Sequence, residues 1–105
     1  MPLSPFERTL AALDALHAQD PRHASGEGES VPHELWHAGR MSAWLERLHE
    51  HPDELVQLAV RGQHLQRWEL SRSEYPEGRV GYLTWRRDQG QRAGETTARL
   101  MREAG

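Results

Sequence analysis

Apolar positions recur along this chain with helical rather than strand spacing. Phe6, Leu10, Leu13 and His17 fall three or four positions apart, behind Ser4-Pro5-Phe6-Glu7. Ser4 can cap a helix, Pro5 suits its first position and Glu7 completes a capping box, so a first helix is expected to end near His17 or Ala18. Residues 19–31 lose the period at Asp20-Pro21 and Gly26-Glu27-Gly28, and read as a loop. A second helix is expected from about Pro32 to about His49. Its apolar stripe is Met41, Trp44, Leu45 and Leu48, with His37 in the same stripe. Pro52, with Asp53 and Glu54 in the first turn, opens a third helix expected to run to about Leu70. Leu55, Leu58, Ala59, Gly62 and Leu65 make one apolar face of it, and Val60, His64 and Trp68 part of another, the pattern of a helix with several neighbours. Tyr75-Pro76 and Glu77-Gly78 mark an ordered loop over Ser71 to Val80. A fourth helix is expected from about Gly81 to Glu103, with Tyr82, Trp85, Ala93 and Leu100 inward and Gly90 and Gly94 as weak points. The expectation is one all-α domain over residues 1–105, with about four helices and an ordered loop before the last.

Composition narrows the function more than the fold. With no cysteine, disulfides and thiolate metal sites are excluded. No apolar run approaches membrane-spanning length, and the N-terminal residues lack a signal-peptide pattern, so a cytoplasmic protein with no membrane partner is expected. The formal net charge of −3 argues against nucleic acid as a partner. Charge is unevenly spread, however: from Arg61 to Arg87 six arginines face three glutamates. Lysine is absent, which reads either as coding bias or as a preference for planar guanidinium forks that bind oxyanions.

Histidines supply the first candidate chemistry. His33-Glu34-Leu35-Trp36-His37 matches H-E-x-x-H, in which two histidines one turn apart hold zinc and the glutamate activates water. The match is discounted. Seven histidines and twelve glutamates produce it readily by composition, Pro32 puts His33 at a helix start, and the extended pattern would want Gly and His where Arg40 and Ala43 stand. Only 32 residues precede it, too few for the sheet that normally covers such a helix. The pair His37 and His64 is more informative. Their separation of 27 positions lets two antiparallel helices and a turn bring the rings together. Both could be hydrogen-bonded core residues, or both could serve a ligand. Arg67 and Trp68 share the face of His64, a combination suited to an oxyanion or nucleotide.

A second candidate is the stretch from Arg67 to Arg86, in which arginines alternate with aromatic residues across a loop between helices. Arg72, Arg79 and Arg86 could join His64, Arg67 and Trp68 around a small anionic ligand, a nucleotide or a phosphorylated metabolite. Alternatively, Trp68, Tyr75, Tyr82 and Trp85 pack the loop down while the arginines pair with Glu69, Glu74 and Glu77.

A histidine early in one helix, followed by Leu55-Val56-Gln57-Leu58-Ala59-Val60-Arg61-Gly62-Gln63-His64, resembles the first half of an HD-domain phosphohydrolase. That superfamily holds a divalent metal ion with an H…HD…D pattern. The resemblance implies His37 and His64 as metal ligands and water as the nucleophile. The aspartate expected after His64 is Leu65, and Asp88 is the acidic candidate for the last position. Two imidazoles without carboxylates suit hard ions poorly, and Glu69 points to another side of a regular helix.

A closer resemblance rests on Glu34-Leu35, Arg40-Met41-Ser42-Ala43-Trp44-Leu45, Gln63-His64-Leu65-Gln66-Arg67-Trp68-Glu69 and Arg79-Val80-Gly81-Tyr82-Leu83-Thr84-Trp85-Arg86. These segments are similar to an uncharacterised domain-of-unknown-function family whose members are sometimes labelled glutamyl-tRNA synthetase. Nothing in the sequence supports that label: there is no Rossmann-type nucleotide fold and no room for an aminoacylation site. The resemblance implies an all-helical domain that continues past the equivalent of Gly105. On that reading the chain is C-terminally truncated, and exposed apolar surface favours a homo-oligomer. The leading expectation is a binder of a small anionic ligand, with a metal-dependent phosphohydrolase as its enzymatic version. The alternative is a non-catalytic protein-interaction module with structural histidines.

Overall fold

The computed structural model describes residues 2–26 and 29–105, with no account of the side chains of residues 24–30. Four α-helices carry the fold: α1 (Pro5–His17), α2 (His33–Leu48), α3 (Glu54–Arg61) and α4 (Arg79–Ala104). The all-α class is therefore as expected. At the start of α1, Ser4 and Glu7 exchange reciprocal capping hydrogen bonds of 3.1 and 3.0 Å.

The segment between α1 and α2 is more ordered than its composition suggests. Where a loop is expected, β1 (His23–Gly26) and β2 (Glu29–Pro32) pair antiparallel, with His23 opposite Pro32 and Ala24 opposite Val31. The Glu27-Gly28 part of the expected loop lies outside the described residues. Asp20, buried at the end of α1, holds both ends of this hairpin. Its carboxylate accepts the Arg22 backbone N–H at 2.9 Å and the Glu34 backbone N–H at 2.9 Å. The second bond matters because Pro32, the residue capping α2, offers no side-chain oxygen. Asp20 thus satisfies one of the free N–H groups in the first turn of α2 from outside the helix.

The third helix is shorter than expected. It starts as the sequence indicates, with the Asp53 side chain accepting the Val56 N–H at 2.8 Å, but stops at Arg61 rather than near Leu70. A tight turn and two short 3-10 turns, Arg67–Glu69 and Arg72–Glu74, follow. Gly62 meets α4 closely: a Cβ built there would lie 2.3 Å from Thr97 Oγ1.

The core gathers Leu13, Leu58, Leu65 and Ala93, backed by Phe6, Leu10, Leu16, Leu100 and Met101. Polar ties close it. Arg61 donates to both oxygens of Asp14 at 2.8 and 3.0 Å, joining α3 to α1, and Arg8 donates to the Ala104 carbonyl, joining the far ends of α1 and α4. The expected stripe of α2 coincides only in part with its inner face: His37, Met41 and Leu45 are half-buried, whereas its other members turn outward. Trp44 is 48% exposed and Leu48 is 80% exposed, while Glu34 and Ala38 are buried. What turns α2 this way is the carboxylate of Glu34, which finds its partners inside. No helix among the described residues is long and apolar enough to cross a membrane.

Candidate anion-binding site

Glu34 is 2% exposed, and its carboxylate accepts three hydrogen bonds from distant parts of the chain. Oε1 lies 2.7 Å from His17 Nδ1 and 2.6 Å from the Gln66 backbone nitrogen, and Oε2 lies 2.9 Å from the Arg67 backbone nitrogen. His17, fully buried on α1, has its Nε2 2.7 Å from the Arg61 carbonyl. A carbonyl can only accept, so Nε2 carries a hydrogen, and one further proton lies between Nδ1 and the Glu34 carboxylate. Buried polar groups without partners are costly, and here every atom of the pair has one.

This carboxylate also fixes the backbone that follows α3. Gln66 donates its N–H to Glu34, and Arg67 divides its own between Glu34 and the His64 carbonyl at 3.2 Å. Gln66 adopts a left-handed backbone with φ 54° and ψ 36°. It is the one non-glycine residue with positive φ among the described residues, a conformation that L side chains disfavour by about 1–2 kcal/mol. From the other side, buried Gln89 on α4 donates to the carbonyls of Arg67 and Leu70 at 2.8 and 2.9 Å. The backbone carrying Arg67 is thus held from α2 and from α4.

That anchoring aims two histidines at each other. The rings of His37, on α2, and His64, in the turn after α3, stack with centroids 4.2 Å apart and planes 10° apart. Arg67 Nη1 donates to His64 Nε2 at 3.1 Å, which makes His64 a neutral imidazole with its hydrogen on Nδ1. The Arg67 guanidinium also lies over the Trp85 ring, 5.3 Å from its centroid. Burial, then the His37 ring and the Arg67 guanidinium, push the His64 pKa down from 6.5 to about 4. Burial, then His33 and Arg67, lower His37 as well. At neutral pH the stack is uncharged.

A pH prediction follows from the His64 shift. Between pH 6.5 and about 4 the unfolded chain binds more protons at this residue than the folded one, so stability falls as pH falls through that window and is fully retained above it. His37 acts in the same direction. In urea titrations across this range, His64→Asn is expected to show a shallower loss than the parent. An unchanged slope would mean that the ring is not buried as described.

Two cavities open on this wall. One, of about 260 Å³, is lined by Arg22, His33, Glu34, His37, His64 and Arg67. The other, of about 150 Å³, has His64 and Arg67 in common with it and adds Arg86 and Gln89. Arg22 is paired with Asp20 through bonds of 3.0 and 3.1 Å. For the Arg67 and Arg86 guanidinium groups there is no carboxylate within ion-pair distance among the described residues.

A shared metal ion does not fit the rings as they stand. Imidazole lone pairs lie in the ring plane, and near-parallel planes stacked face to face do not converge on an ion about 2.0–2.1 Å from each nitrogen. Among the described residues no three His, Cys, Asp or Glu side chains cluster as a metal site.

A family model described as a domain of unknown function, DUF4202, matches residues 7–105. The chain belongs to this family. No curated protein and no solved structure matches it. Membership in DUF4202 therefore brings a fold unit without an activity, and the chemistry rests on the side chains.

In this DUF4202 domain, His37, His64, Arg67 and Arg86 come together, whereas the other arginines of the stretch go elsewhere. Arg72 donates to the carbonyls of Tyr75, Pro76 and Gly78 at 3.2, 2.9 and 3.3 Å, which pins the loop before α4. Arg79 is exposed at the first turn of α4, and half-buried Trp68 lies in a 3-10 turn; neither lines either cavity. Tyr75 donates to Asp88 at 2.5 Å and Trp85 Nε1 donates to the Leu70 carbonyl at 2.9 Å, so part of the aromatic set packs the loop down. Asp88 faces that loop and not the histidines. Sequence reasoning passed over His17, Asp20, Arg22 and Gln89. Glu34 figures there in a zinc-peptidase motif and in the family resemblance but not as a buried acceptor, although an acidic residue amid apolar helical spacing was the available signal.

Proposed function

We propose that this domain binds a small anionic ligand, a phosphorylated metabolite or nucleotide, in the cavity between α2 and the turn after α3. The observation that carries the reading is the Arg67 guanidinium, which has no carboxylate partner among the described residues and stands beside two neutral stacked imidazoles at a cavity of about 260 Å³. Guanidinium is a planar fork of donors suited to phosphate oxygens. Arg22 and His33 offer further donors on the same wall, while the oxygens of Glu34 are already taken by three donors and repel little.

Inorganic phosphate is the probe. At matched ionic strength it is expected to raise the melting temperature on the order of 10 °C once it reaches about a hundred times its Kd. Arg67→Gln removes one partner of the anion and leaves the backbone bonds of residue 67 in place, so it should fold and lose the rise. No rise in the parent, or an equal rise in the variant, defeats the reading.

The metal-dependent phosphohydrolase version has less support. It needs a ring rotated out of the stack, and the position after His64 is buried Leu65. The interaction-module reading draws on a different feature. An apolar groove of about 410 Å³ runs between α3 and α4, with Leu55, Ala59, Ala93 and Met101 along it. A mass in solution that grows with concentration, together with indifference to phosphate, would put that reading in place of ligand binding.

A further inference from the structure

The two cavities at the histidine wall share two side chains, and nothing else in the fold requires that arrangement. His64 and Arg67 line both. On one side stand Arg22, His33 and His37; on the other stand Arg86 and Gln89. The two lobes therefore meet at the His64 imidazole and the Arg67 guanidinium. Arg67 uses one Nη1 contact on His64 and lies over the Trp85 ring, 5.3 Å from its centroid, which leaves its remaining N–H donors for oxygen atoms of a ligand. Arg86 lies 5.9 Å from the Tyr82 ring centroid and carries no carboxylate partner among the described residues. The second lobe, at about 150 Å³, is too small for a drug-sized molecule but large enough for one tetrahedral oxyanion group.

We propose that the ligand carries two linked anionic groups of the diphosphate type, one in the Arg22–His37 lobe and one in the Arg86 lobe, with Arg67 donating to both. This rests on the anion-binding reading above and adds its substrate class. A single phosphate would use Arg67 from one side only. Two phosphoryl groups joined through one oxygen can present acceptor atoms to different N–H groups along the edge of a single guanidinium.

Calorimetric titration with inorganic phosphate, pyrophosphate and ADP tests this on the parent, Arg67→Gln and Arg86→Gln. Pyrophosphate is expected to bind at least about tenfold more tightly than phosphate, the gain of one charge-assisted contact. Arg86→Gln, an exposed position, should erase that advantage, while Arg67→Gln weakens both ligands. Pyrophosphate binding no tighter than phosphate, or an advantage that survives Arg86→Gln, overturns the inference and leaves the simpler anion site standing. Failure of the parent to bind phosphate or pyrophosphate strikes both. ADP separates the sources of the diphosphate group. Tighter binding than pyrophosphate assigns a nucleoside-borne group, and weaker binding assigns the free inorganic ion.

Discussion

Glu34→Ala is expected to cost about 3–5 kcal/mol, the loss typical of removing one partner from a buried ion pair. The mutation removes the acceptor shared by His17 Nδ1 and the backbone N–H groups of Gln66 and Arg67, of which only Arg67 keeps a second acceptor, the His64 carbonyl at 3.2 Å. His17 is fully buried, so its ring nitrogen cannot take water in place of the lost carboxylate. Domains of this size rarely have more than 5–15 kcal/mol in total, so the variant should be partly unfolded at physiological temperature. Glu34→Gln keeps one acceptor oxygen but presents an amide donor to a donor, so an intermediate loss of about 1–3 kcal/mol is expected. Urea titration gives both values. A loss below about 1 kcal/mol for the alanine variant would show that the node contributes little to the fold.

Gly81→Ala should destabilise the protein by about 1–3 kcal/mol, against the usual direction for glycine in a helix. Alanine normally gains about 1 kcal/mol over glycine within a helix. At Gly81, however, a Cβ would sit 1.8 Å from the Pro76 carbonyl oxygen and 2.7 Å from its carbon. Both are backbone atoms, so the loop before α4 must move. That same carbonyl accepts from Arg72 at 2.9 Å, and the neighbouring Tyr75 bonds to Asp88, so displacing it breaks the ties that hold the loop. Gly94, further along α4, has nothing within 4 Å of its Cβ direction. Gly94→Ala should therefore gain about 0.4–1 kcal/mol. Opposite signs at two glycines of one helix, read as shifts in melting temperature, are the expected result. The same sign at both would contradict the packing of the loop on α4.

The helices were legible because local rules placed them. The capping box at Ser4 and Glu7 and the cap at Asp53 each lie within a turn of the helix they start, and α1, α2 and α4 fall within a few residues of their expected limits. The course of the chain after α3 was not legible, because it answers to remote contacts: Gly62 packs closely on Thr97, and the Glu34 carboxylate, 32 residues away, takes the N–H of Gln66. Residues 64–70 have good helical spacing, and these tertiary contacts override it. The hairpin is a similar case. Its strands are four residues long and its ends are latched by Asp20, which in the sequence reads only as a breaker before proline. At the site, spacing alone brought His37 and His64 to one place. It could not distinguish Arg67 and Arg86, which face the cavities, from Arg72, which is turned onto the carbonyls of its own loop.

The wall that carries Arg67 is held by Glu34 from α2, through that residue by His17 from α1, and by Gln89 from α4. No fragment of the chain can display it. If the proposed anion binds there, loosening a remote helix would be felt in the cavity as lost occupancy. Weakened phosphate affinity in a mutant would not by itself mark a residue as touching the anion, because the backbone of Arg67 and the cohesion of the helices draw on the same few hydrogen bonds.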